Sequence, residues 1–180
     1  MIEVTTHEAY AALRGAFDRV GLDYVILRAD GEAWGIEAHK KAAASAFSVL
    51  NGRFSEFDYR VSLDPDAMTA EKSDLAALLW VPEDYDERKK RKHGAFTISS
   101  PLPYWYAFLE PPHGTPYLAS DFAKFHDILF PNKENVEVYR WNDDFSDYFD
   151  DGKEWWGTGF WTVYDAENGL FVVIGASLTD

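Results

Sequence analysis

Apolar positions recur along this chain with two periods, and the change from one to the other divides it near its middle. In the first half the helical spacing dominates. Thr5 and Glu8 stand at capping-box distance, Leu13, Phe17 and Val20 form an apolar stripe, and Gly21 sits where a C-terminal cap belongs, so the pattern predicts an opening helix. Residues 24–27 read as a buried strand, and Asp30-Gly31 as a turn. The alanine-rich segment AHKKAAASAFSVLNG (38–52) predicts a helix ending at Asn51-Gly52. Residues 54–63 alternate, with Phe57, Tyr59, Val61 and Leu63 on one face, which is strand period. Asp64-Pro65 opens a further helix carrying Met68, Leu75, Leu78 and Leu79 and closed by Pro82.

In the second half a period of two takes over. Residues 95–99 and 104–109 are candidate strands, confined to an edge or a bulge by Pro101 and Pro103. EPPHGTP (110–116) is a loop, and Ser120 caps a short helix with Phe122, Phe125, Ile128 and Leu129 inward, stopped by Pro131. Residues 136–141 alternate again. Two strands, 159–164 and 170–176, flank a turn in which Asn168-Gly169 is expected to supply positive φ angles. The unbroken run LFVVIG predicts a central strand buried on both faces. No repeat, low-complexity tract or linker interrupts the chain. The expected fold class is α+β: a single domain over 1–180 with a mainly antiparallel sheet in the C-terminal part, packed by N-terminal helices.

Composition narrows the classes. With 180 residues, 47% of them hydrophobic, the chain supports one substantial core. Its aromatic content of 17% argues against disorder, because each buried ring removes roughly 150–250 Å² from water. The absence of cysteine excludes disulfides and Cys-ligated zinc. The opening MIEVTTHEAY lacks the basic-then-apolar order of a signal peptide, and the longest apolar run, 170–176, is too short to cross a bilayer. A cytoplasmic protein without a membrane partner is expected. The net charge of −14 is uneven: 17 acids face 13 bases through residue 94, and 14 acids face four bases beyond it. Such a field repels nucleic acid and draws in basic partners. The basic run Arg88-Lys89-Lys90-Arg91-Lys92 follows Glu83, Asp84, Asp86 and Glu87, which neutralise it, and reads as a solvated surface segment.

Candidate chemistry concentrates in WNDDFSDYFDDGKEWWGTGFWTVY (141–164), which holds nine aromatics, six carboxylates and one lysine. No cofactor motif stands in it or elsewhere. His7-Glu8 begins a zincin motif, but Ala11 occupies the second histidine position; Gly157-Thr158-Gly159 lacks the third glycine of a dinucleotide loop and reads as room beside bulky tryptophans. Asn142, Asp144 and Ser146 mimic the start of a calcium loop, but Asp147 replaces its glycine and Lys153 its bidentate glutamate, leaving an irregular site of Asp143, Asp147, Asp150 and Asp151 as the alternative. His113 and His126 are candidate general bases with the 143–154 acids; His126, one residue off its helix stripe, is expected to be partly exposed, and a structural role is the stronger reading.

The blocks WYAFLEPPHGTPY (105–117), DFAKFHDILFP (121–131), VEVYRW (136–141), DYFDDGKEWWGT (147–158), FWTVYD (160–165) and IGASLTD (174–180) resemble a family of small bacterial proteins of no established activity. The resemblance implies bacterial cytoplasmic origin and an α+β domain, and transfers no catalytic residue. The small, acidic, cysteine-free and aromatic-rich type is also similar to immunity proteins of bacterial toxin systems. The expected function is therefore a non-catalytic acidic binding protein, of the kind that neutralises a basic toxin. Its expected surface comprises Trp141, Asp143, Asp144, Asp147, Tyr148, Asp150, Asp151, Trp155 and Trp156, because indoles and phenols anchor interfaces while carboxylates steer a cationic partner. Trp161, inside a strand, is assigned to the core; of Trp155 and Trp156, one is expected in the core and one exposed. The alternatives are a small hydrolase with a His/carboxylate site and a small-ligand module in which tryptophans stack on the ligand.

Overall fold

The computed structural model describes residues 1–91, 96, 98 and 101–179. In chain order its elements are β1 (Ile2–Glu3), α1 (Glu8–Arg14), β2 (Asp23–Arg28), α2 (Ile36–Phe54), β3 (Ala70–Ser73), α3 (Leu75–Leu78), α4 (Tyr85–Lys90), α5 (Tyr104–Leu109), α6 (Ala119–Leu129), β4 (Val136–Trp141), α7 (Asp150–Trp155), β5 (Gly157–Asp165) and β6 (Leu170–Leu178). The six strands form one fully antiparallel sheet in the order β1-β2-β6-β5-β4-β3. The fold class is α+β, as the periodicity predicts.

The run LFVVIG forms the central strand because it serves two cores. Val172, Ile174 and Ala176 point to one face, while Phe171 and Val173 point to the other. The first face packs under α1, α5 and α6 through Phe17, Phe108, Phe122 and Phe125. The second packs under α2 through Ala42, Ala43, Ala46, Phe47 and Leu50, and under Phe145, Tyr148 and Phe149 from the segment before α7. Trp161 is buried in the first core. Between β5 and β6 the turn is held by Asp165, whose carboxylate accepts from the backbone N–H groups of Glu167 and Asn168; only Gly169 takes a positive φ, of 60°.

Several expected elements form differently. Residues 104–109 are helix, not strand. Pro103 precedes the first turn and its carbonyl accepts from the N–H groups of Tyr106 and Ala107. Tyr104, Trp105, Ala107, Phe108 and Leu109 are all buried, so this helix has no polar face to reveal its period. Residues 54–63 are not a strand either. α2 runs on to Phe54, a 3-10 turn follows, Asp58 takes a left-handed φ of 54°, and the Asn51 amide brackets both backbone groups of Val61. The helix expected from Asp64 is divided into β3 and α3, because Asp74 caps a new turn by accepting from the N–H of Ala77. α1 is capped by His7, not Thr5, and stops at Arg14. α6 is capped by Asp121, whose carboxylate accepts from the N–H of Leu118, and not by Ser120. The expected strand 95–99 lies, apart from Phe96 and Ile98, outside the described residues, as does Lys92. Three members of the basic run are paired with acids: Lys89 lies 2.9 Å from Glu110, Arg88 3.8 Å from Asp84 and Arg91 3.9 Å from Glu87.

Candidate functional site

Between β4 and β5 the chain folds so that apolar and acidic side chains separate. Phe145, Tyr148, Phe149 and Gly152 recur at helical spacing and turn inward, whereas Asp144, Asp147, Asp150 and Asp151 are exposed. Ser146 starts the turn: its hydroxyl accepts from the N–H of Tyr148 and donates to the carbonyl of Ser62. Asp147 extends this clamp by accepting from the N–H of Ser62 at 2.6 Å. At Gly152 the helix touches the sheet, since a Cβ there would stand 2.8 Å from the Ser177 hydroxyl.

Seven of the nine expected surface residues are thereby sorted into three groups, with Trp155 and Trp156 at the end of α7 beyond them. Trp141 and Tyr148 are corrected from surface to core. Trp141 is 4% exposed and donates its indole N–H to Thr162 at 2.9 Å; Tyr148 is 7% exposed and donates its hydroxyl to Asp23 at 2.7 Å. Both rings face the second core because their polar atoms find partners on the sheet and on β2. Asp143 and Asp144 form the second group and are engaged: Lys153 lies 3.0 Å from Asp144 and 3.9 Å from Asp143, which also accepts from the Thr158 hydroxyl.

Asp147, Asp150 and Asp151 form the third group, exposed and without an ion-pair partner among the described residues. Their charges reach Tyr59, which is 44% exposed and leans on Phe54 at 5.6 Å. Partial burial and then the charges of Asp147, Asp151 and Asp150 push the Tyr59 phenol above its ordinary pKa. Trp155, 68% exposed, follows Asp151 by one helical turn on α7. Phe57 stands 79% exposed nearby in sequence. Of the pair, Trp155 is thus the exposed member, at a helix end and not in extended backbone, while its neighbour packs only partly against the core. Trp156 is half-buried, stacked on Tyr106 at 5.4 Å and 12°.

Neither His113 nor His126 pairs with the 143–154 acids. His126 is fully buried, not partly exposed: its Nδ1–H donates to the Phe122 carbonyl at 2.6 Å and its Nε2 accepts from Tyr104 at 2.6 Å. The charges that act on it are Lys133 and Asp127, and burial holds its pKa down at about 3. His113 is exposed and bonds the carbonyl of Arg19 at 2.8 Å. Among the described residues no three His, Asp or Glu side chains are grouped to hold a metal ion, and Asp143 is drawn to Thr158 while Asp147 is drawn to Ser62.

A buried polar network was missed from the sequence. His39 on α2 lies 2.7 Å from the Thr162 hydroxyl and 3.3 Å from Glu137, which accepts from Lys72 at 2.7 Å and from the N–H of Gly35 at 2.6 Å. Glu137 alternates with Val136 and Val138, so it shares the aromatic face of Tyr139 and Trp141; that placement was the available signal. His39 and Thr162 are both 0% exposed, so this Thr–His–Glu row is closed to solvent and ties α2 to the sheet. Among the described residues no helix is long and apolar enough to cross a membrane. Comparisons with protein-family models, with curated proteins and with solved structures find no match for the chain.

Proposed function

We propose that the chain is a non-catalytic acidic binding protein of the bacterial cytoplasm, and that it neutralises a basic toxin by docking it on the face formed by Tyr59, Asp147, Asp150, Asp151 and Trp155. The observation that carries this reading is three exposed carboxylates, without ion-pair partners among the described residues, near two exposed aromatic side chains. Isolated surface acids would serve solubility alone. Acids near a solvent-facing phenol and indole combine long-range attraction with anchors that lose water on contact. The net charge of −14 reinforces the attraction for a cationic partner and opposes nucleic acid. Asp143 and Asp144 belong to the surrounding field, their charges offset by Lys153.

The reading requires a toxic basic protein encoded beside this chain's gene, and the test follows its association by surface plasmon resonance; a neighbourhood without such a gene would overturn the reading. Replacing Asp147, Asp150 and Asp151 together by Asn is expected to slow association about tenfold and to flatten its salt dependence. Trp155→Ala is expected to speed dissociation by about tenfold or more. Trp155→Ala should melt within about 2 °C of the parent, since a surface change of this kind is worth about 0.5 kcal/mol or less, whereas the triple variant, which weakens the acceptor of the Ser62 N–H, should lose about 1 kcal/mol and stay folded. Unchanged kinetics in both variants, or no association at low salt, would remove the proposal.

A further inference from the structure

On the face of the sheet that holds Trp161, one corner is hollow. Gly157 and Gly159 occupy alternate positions of β5 and so present no side chain to the same side. Neither position has room for one. A Cβ at Gly159 would lie 2.1 Å from the Trp161 ring, and Gly157 takes a φ of +132° with Leu102 3.3 Å from where a Cβ would stand. The bare strand, the approach to α5 and the end of α7 bound a cleft of about 770 Å³, which lies within the usual size range of small-molecule sites.

The polar groups lining this cleft differ in how far they are committed. Asn142 is fully used: its carbonyl oxygen accepts from the N–H of Thr69 and its amide donates to the carbonyl of Ala67. Lys153, Asp143 and Thr158 are bound to one another and to Asp144. Arg140 has no such engagement. It sits on β4 opposite Glu71 of β3 and Trp161 of β5, is half-buried, and has neither a hydrogen bond nor an ion pair within 4 Å among the described residues. Burial holds its guanidinium below the ordinary arginine pKa, while the charges of Glu71 and Asp143, close enough to act on it, pull the other way. A cation held partly out of water without a bonded partner favours any ligand that supplies one. The stacked pair Tyr106 and Trp156 forms a flat wall of the same cleft.

We propose that this cleft binds a small aryl carboxylate, its carboxylate in the fork of Arg140 and its ring against Trp156 and Tyr106. The planar guanidinium matches a carboxylate through two parallel hydrogen bonds. A single negative charge suits the site better than a phosphate, because Glu71, Asp143 and the overall charge oppose a dianion. The inference is independent of the docking face, which shares none of these side chains.

Phenylacetate and its neutral analogue phenylacetamide are the probes, titrated into the intact protein and followed by the Trp156 indole N–H resonance, which Trp156→Phe assigns. Phenylacetate should give a saturable shift with a Kd of about 1 mM, and phenylacetamide should bind about tenfold more weakly. Arg140→Gln should abolish the preference for the acid while the rest of the spectrum stays in place, and Arg140→Lys should restore part of it. The triple asparagine variant of the docking face should bind phenylacetate as the parent does. Equal shifts from acid and amide, no saturable shift, or an acid preference that survives Arg140→Gln would each overturn the proposal.

Discussion

On the face of the sheet that holds Trp161, the buried histidine is bonded entirely by uncharged groups. His126 donates to the Phe122 carbonyl, accepts from Tyr104, and Tyr104 in turn bonds Tyr24 at 2.7 Å. On the opposite face His39 belongs to a row that contains a buried carboxylate. Glu137 is 6% exposed and is held by the N–H of Gly35 and by Lys72, whose side chain reaches solvent. Burial lowers both histidines, His126 to about 3 and His39 to about 4. For His39 the neighbouring Glu137 offsets part of the desolvation. The same residue type is thus kept neutral twice, once by a closed chain of hydroxyls and once beside an anion whose charge is answered from outside. A neutral chain leaves little at stake when one bond is lost, whereas a buried anion depends on every partner it has.

The largest expected effect separates the faces by packing. Each face sets an aromatic ring over a strand glycine: Trp161 over Gly159, and Tyr148 over Gly175. A Cβ would lie 2.1 Å from the Trp161 ring but 2.7 Å from the Tyr148 hydroxyl. Gly159→Ala should therefore cost about 3 kcal/mol or more, and Gly175→Ala less, since a phenol tip yields more readily than a fused ring. Equal costs in urea unfolding would contradict this ordering.

Next in size are the polar networks. Glu137→Gln removes the buried charge that accepts from the N–H of Gly35 and from Lys72, and should destabilise more than Tyr104→Phe, which removes two neutral hydrogen bonds and should cost about 1–2 kcal/mol. If Tyr104→Phe proves the more damaging, the contrast between the faces is wrong.

The last expectation concerns pH, and its effect is small only near neutrality. Both histidines have native pKa values below the ordinary 6.5, so below pH 6.5 the unfolded chain binds protons that the native chain refuses. Their contribution is complete above pH 6.5 and is lost as pH falls, at up to about 1.4 kcal/mol per pH unit for each histidine. The loss from His39 ends near pH 4 and that from His126 near pH 3. Glu137, held below its ordinary value, adds a further loss in the acid range, while Asp23, raised by burial, opposes it. Ring resonances of His39 and His126 should show no titration between pH 7.5 and pH 5; a midpoint near 6.5 in either would refute the assignment.

Strands β4, β5 and β6 were legible from alternation, and α2 from its alanine content, because in each the local preference and the tertiary environment agree. α5 was not: burial all round removes the polar positions that would mark its turn. At the candidate site the acids were legible as surface residues, but their aromatic companions were not. Trp141 and Tyr148 turn inward because Thr162 and Asp23, distant in sequence, receive their polar atoms. Tyr59 joins the acids because Asn51 and Asp147 fix the course of residues 61 and 62 just after it. Such choices are made by partners that no local period encodes.

The sheet's margins bear on how the molecule meets others. One margin is the two-residue β1 and the other the four-residue β3. A chain with 13 Phe, 10 Tyr and seven Trp would risk self-association if it offered a long backbone rim. Among the described residues these rims offer little backbone to a foreign strand, and a charge of −14 opposes the approach of identical copies. Encounters are thereby left to side chains.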